Sequence, residues 1–184
     1  MTKVLIVVTF FLIFQMNVTG QISATSFNGV ALHTNIKDIP GCISYKDFAE
    51  KHLFSAEPDL NFYYLPIIDS QDSLIVKYVF LQCNNDKELN KIFILIDDSN
   101  NNALSILKRV LGPEHTTGQS SMGQPYGNIV YGWSTNAGTT VLMFKEGREH
   151  SVLNFPVTTI TIRYKSDYEA LQNTSISPVL HRSF

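Results

Sequence analysis

The sequence predicts an α+β protein, an antiparallel β-sheet of about six strands with two main helices packed on one of its faces. Three observations carry that prediction. Six runs rich in aromatic and β-branched residues recur at strand length. Two other segments repeat apolar residues every three or four positions, which is the helical period. The order is one helix followed by three strands, twice over, rather than alternating βα units. That order divides the chain into two unequal helix-plus-sheet halves, with no residue-by-residue repeat.

Ahead of these elements, Lys3, the apolar run Val4 to Phe14 and the ending Val18-Thr19-Gly20 have the form of a cleavable secretion signal. The run is broken by Gln15 and Asn17 and falls short of the roughly 20 apolar residues that a membrane-spanning helix needs. Residues 1–20 are therefore read as a signal peptide, 21–172 as a single α+β domain and 173–184 as a C-terminal tail. The expected location is secreted or periplasmic, with no membrane span left after cleavage.

Asn28 to Leu32 alternates weakly as an edge strand, and Thr34 or Asn35 can cap one turn before Pro40 stops it. Ser44 precedes Tyr45, Phe48, Ala49, His52 and Leu53, whose spacing puts apolar groups on one side of a helix over 44–53, with Asp47 favouring its start. Phe62 to Ile68 and Leu74 to Leu81 form a hairpin around the polar residues 69–73, and Leu89 to Ile96 continues the sheet. Pro66 offers no ladder donor and belongs near an edge or bulge. Residues 97–102 end that strand and cap a helix over 101–111, in which Ala103, Ile106, Leu107, Val110 and Leu111 recur and Gly112-Pro113 is the stop. Residues 112–128, with four glycines and two prolines, read as a mobile loop. Three more strands follow, Ile129 to Trp133, Thr139 to Phe144 and Val157 to Tyr164, the first pair joined by a turn at 136–138. Ser166-Asp167-Tyr168-Glu169 has capping-box spacing and predicts a short helix over 167–172.

Without residues 1–20 the chain carries 13 Lys and Arg against 16 Asp and Glu, a formal charge of −3. The basic residues are scattered, Lys108-Arg109 being the one adjacent pair, which argues against nucleic acid and against a polybasic membrane surface. Cys42 and Cys83, an even pair in an exported chain, are expected to form a disulfide closing a loop of about 40 residues and adding about 3–4 kcal/mol. The competing reading, Cys42 activated by His52, lacks a nucleophile signature.

Asp97, Ser99 and Asn101 imitate the opening of a calcium loop, but Asn102 and Lys108 stand where its turn glycine and closing glutamate belong, so a helix cap is the plainer reading. The five histidines show no paired ligand spacing, and neither metal nor cofactor is expected. Gly112 to Gly118 lacks phosphate-loop spacing, Ser120-Ser121 do not complete a nucleophile elbow, and no catalytic residue is assigned. Tyr126, Tyr131 and Trp133 are the candidate binding residues, because rings beside a flexible loop can fill a pocket on a partner or stack on a sugar. Tyr131 and Trp133 alternate with Val130 and Gly132 and so share one sheet face, for which core packing under the helices is the favoured explanation.

Three segments, residues 29–39, Leu107 to Pro113 with its Leu-Gly-Pro ending, and Tyr131-Gly132-Trp133 after a glycine-rich stretch, resemble the small exported α+β modules of the β-lactamase inhibitor protein and small outer-membrane assembly lipoprotein type. They span about a third of the chain beyond the leader, which lacks that group's lipid-attachment cysteine and cysteine spacing. The resemblance implies protein binding through an antiparallel sheet, with no catalysis and no cofactor. The leading expectation is thus a non-enzymatic exported module that contacts a protein or envelope component through its sheet face and the loop 114–127. The alternatives are a secreted hydrolase with dispersed residues such as Glu114 and His115, and a carbohydrate-binding module using Trp133.

Overall fold

A computed structural model describes residues 22–52, 61–66, 74–114, 116–120, 128–136, 138–149 and 156–164. The signal peptide, the hairpin turn 69–73, the helix expected over 167–172 and the tail lie outside those residues. Strands β1 (Ser26–Phe27) and β2 (Val30–Ala31) form a small pair, followed by a 3-10 turn at Ile36–Asp38. Then come β3 (Ile43–Ser44), α1 (Tyr45–His52), β4 (Phe62–Tyr64), β5 (Ile75–Cys83), β6 (Leu89–Asp97) and α2 (Ala103–Leu111). The last four strands are β7 (Thr116–Ser120), β8 (Asn128–Ser134), β9 (Thr139–Glu149) and β10 (Pro156–Tyr164).

Strands β3 to β10 form one antiparallel sheet in the order β3-β4-β5-β6-β10-β9-β8-β7. It is built from two four-stranded meanders whose last strands, β6 and β10, pair with each other. All six expected strands are present, but the sheet has eight among the described residues. The additions are β3, too short for any periodicity to show, and β7, which occupies part of the stretch expected to be a loop. Thr116-Thr117-Gly118-Gln119-Ser120 has no apolar alternation, and its strand form depends on ladder bonds to β8, which local sequence does not announce.

The two described α-helices lie on opposite faces, not on one. On the first face Leu81, Ile92, Ile94, Ile160, Ile162 and Trp133 form a continuous core under Ala103 and Leu107 of α2 and under Ile22, Phe27, Leu32 and Ile36 of the N-terminal segment. On the second, Tyr45, Phe48 and Ala49 of α1 pack on Phe62, Phe80, Leu95 and Val157. Successive side chains of a strand point to opposite faces, and the central strands are apolar at both parities: Leu81 beside Phe80, Ile94 beside Leu95. Both faces therefore need cover. The two meanders cannot be a rotational repeat, since a two-fold axis normal to the sheet would keep both helices on one face.

Local capping follows the sequence closely. Ser44 Oγ accepts from the Asp47 amide at 3.2 Å and donates to its carboxylate at 2.7 Å, starting α1. At α2 the capping side chain is Asp98, whose Oδ1 accepts from the Ala103 amide at 3.0 Å, while Asn102 makes no side-chain cap bond. Gly112 ends α2 with φ 86°, a conformation that favours glycine, and its amide reaches the Lys108 carbonyl at 2.9 Å.

Cys42 and Cys83 are free thiols, so the expected disulfide is not formed. Cys42 enters β3 and Cys83 ends β5, with β4 between them. Two strand spacings amount to about 10 Å, beyond the roughly 7 Å between Cα atoms that a disulfide tolerates. Burial pushes both thiols up to about 11, the neighbouring Cys83 adding to the effect at Cys42 and Lys87 opposing it at Cys83.

Candidate binding face

Tyr131 and Trp133 share a sheet face, as their alternation predicts, but it is the covered first face. Trp133 is 1% exposed, and its indole Nε1 donates to the Gly112 carbonyl at 2.9 Å, tying β8 to the end of α2. Tyr131 is half-buried against the same core. Trp133 is therefore a core residue and not the contact ring expected of it. Its indole binds the end of α2, so its polar edge serves the fold. Tyr126 lies outside the described residues.

The dispersed acid-base pair fares no better. Glu114 is bound to Lys108 Nζ at 2.9 Å, and that hydrogen bond, with Glu114's own amide, holds its carboxyl below the usual range. His115 is outside the described residues. Asp97, Ser99 and Asn101 form the loop entering α2: the Ser99 amide donates to Asp97 Oδ1 at 3.2 Å, the Ser99 hydroxyl bonds the same oxygen, and Lys145 donates to Asn101 Oδ1. The Ser99 hydroxyl is the main cause lowering the Asp97 pKa, with Lys77, 3.6 Å away, adding to it. No cluster of three His, Cys, Asp or Glu suited to a metal occurs among the described residues.

A different surface emerges on the second face, over the C-terminal meander. Residues paired across antiparallel strands share a face, so the register arranges this one in three rows. The first runs Val130, Phe144, Thr159, Leu95, and the second Gly132, Leu142, Thr161, Phe93. The third runs Ser134, Thr140, Arg163, Lys91. Val130, Leu142, Phe144, Thr159 and Thr161 are half-buried. Helix α1 stands over the β4 side of the sheet and α2 lies on the other face, so among the described residues no helix covers β8, β9 and the adjoining side of β10. Gly132 is needed there: a Cβ at this position would sit 2.5 Å from Thr116 Oγ1, so the glycine lets β7 close against β8.

Chemically the patch offers half-buried aliphatic and aromatic surface with threonine hydroxyls, bordered by the row of Thr140 and Arg163, which are buried. That suits non-covalent contact with a surface of mixed apolar and polar character. Sequence reading missed these residues, although a signal was present: Val141 and Met143 alternate with Leu142 and Phe144, so β9 is apolar on both faces and two helices cannot cover every such surface.

The molecule is thus defined as an α+β protein whose eight-stranded antiparallel sheet leaves half of one face without a described helix. Comparison of the chain with protein-family models, with curated proteins and with solved structures returned no significant match.

Proposed function

We propose that the protein is an exported, non-enzymatic binding module that contacts a protein or envelope component through the second face of its C-terminal meander and the adjoining segment 114–127. The observation that carries this reading is the three-row patch, in which Val130, Leu142 and Phe144 remain half-buried on a face with no described helix above them. Export rests on the leader-like residues 1–20. The resemblance to exported inhibitor and assembly modules points the same way, toward protein recognition by an antiparallel sheet. Burial of Trp133 removes the ring on which sugar stacking depended, and the Lys108 ion pair occupies the carboxylate of the hydrolase reading.

The test compares the chain lacking residues 1–20 with its Phe144→Asp and Leu142→Asp variants as bait in the native host, with identification of what is retained. A partner held by the parent and lost by both variants, at unchanged circular dichroism, is the expected result. Equal retention by all three would overturn the assignment of the face. Sequencing the N-terminus of the protein recovered from the host checks export, since cleavage near Gly20 is expected.

A further inference from the structure

We propose that β7 is a self-pairing edge, joining the same strand of a second copy in antiparallel register about a two-fold axis normal to the sheet. Strand β7 closes the sheet order, and its five residues pair with β8 in unbroken register from Thr116 opposite Gly132 to Ser120 opposite Asn128. Among the described residues nothing pairs with its outer side, and Thr116 and Thr117 are exposed. An edge strand turns a row of amide and carbonyl groups outward, and monomeric proteins guard such rows with lysine, proline, a bulge or shortness. The opposite edge has that protection: β3 is two residues long, follows Pro40-Gly41 and runs straight into α1. Strand β7 has none of it, being regular and free of charge and proline.

The lack of charge along the edge favours a copy of this chain as the occupant. Two uncharged Thr-Thr-Gly-Gln-Ser strands meet without the like-charge cost that usually keeps edges apart. The ionic groups just before the strand, Lys108 and Glu114, satisfy each other at 2.9 Å. A two-fold axis normal to the sheet also sets first face beside first face, so the two α2 helices flank the junction. The pairing would join the second-face patches of both copies into one platform; that consequence rests on the function proposed above, whereas the pairing does not.

Sedimentation velocity of the chain lacking residues 1–20, over a concentration series, should show the dimer mass. Thr117→Lys and Thr117→Glu should each halve that mass with unchanged circular dichroism and melting temperature, and mixing the two should restore it, because opposite charges then approach across the axis. As a second readout on the unaltered chain, amide exchange in β7 should slow as concentration rises. A parent chain that stays monomeric throughout the series overturns the proposal, as do Thr117 variants that remain dimeric or fail to recombine. A monomer that gains mass only with an added extended peptide would also overturn it, by making the edge a site for a foreign strand. A Thr117→Lys monomer that still retains the partner would separate the two readings, leaving the binding face intact.

Discussion

Trp133 illustrates how far a residue's neighbours in sequence inform its role. Its alternation with Gly132 correctly places it with Tyr131 on one face, yet which face is covered depends on where α2 returns. Trp133→Ala should therefore lower stability by about 3–5 kcal/mol, measured by urea denaturation. Trp133→Phe should cost less but leave the Gly112 carbonyl without its indole donor. The cysteines give a pH-dependent prediction. Both thiols are raised from 9.0 to about 11 in the folded chain, so the folded state holds its protons more tightly than the unfolded one. Their contribution to stability is fully present below pH 9 and is lost as pH rises toward 11. Denaturation midpoints taken across that window should fall, and replacing both cysteines by alanine should flatten the part of the fall due to the thiols. At pH 8 a thiol reagent should react far faster after unfolding than before it, since the folded thiols, Cys83 buried and Cys42 half-buried, are held protonated.

At the scale of elements, both described helices and the six expected strands were legible because the apolar spacing of each run repeats over enough residues to show a period. The start of α2 was legible only as a cluster of capping residues. Asp98 has the role because it is 2% exposed and held by three partners: the Ala103 amide, Thr158 Oγ1 at 3.4 Å and Lys145 Nζ at 3.6 Å. The last two come from β10 and β9, distant in sequence. Asp98→Ala should destabilise the protein by at least about 1–2 kcal/mol through loss of the cap, and amide exchange should quicken first in the opening turn of α2. Asn102→Ala should cost less, having no side-chain cap bond to lose. Strand β7 was not legible, because an uncharged polar segment carries no periodicity and becomes a strand through β8 alone. Gly132→Val should loosen that pairing, its side chain displacing Thr116, and hydrogen exchange across β7 should report it.

For the whole molecule, the decisive fact is that a sheet apolar on both faces receives, among the described residues, one helix on each. Phe80 is 3% exposed beneath α1, and Leu81, next along the strand, is fully buried on the other side. Phe80→Ala and Leu81→Ala should each cost about 2–5 kcal/mol, although adjacent side chains of a half-exposed strand would differ sharply. Phe144→Ala, on the face without a described helix, should cost less than either. Chemical denaturation of the three variants checks that order, and a Phe144 variant as damaging as Phe80→Ala would remove the basis for a contact surface there.

Local chemistry in the chain was enough to specify an α+β class, two helices with their caps, six strands and the absence of any familiar catalytic motif, because each rests on neighbours a few residues apart. Folding settled the rest: the two added strands, the described helices on opposite faces, free thiols in place of a bond, Trp133 as core and a different, half-buried patch as the candidate. These depend on which strand lies beside which, and a side-chain period of two marks two faces without saying which of them another part of the chain will cover.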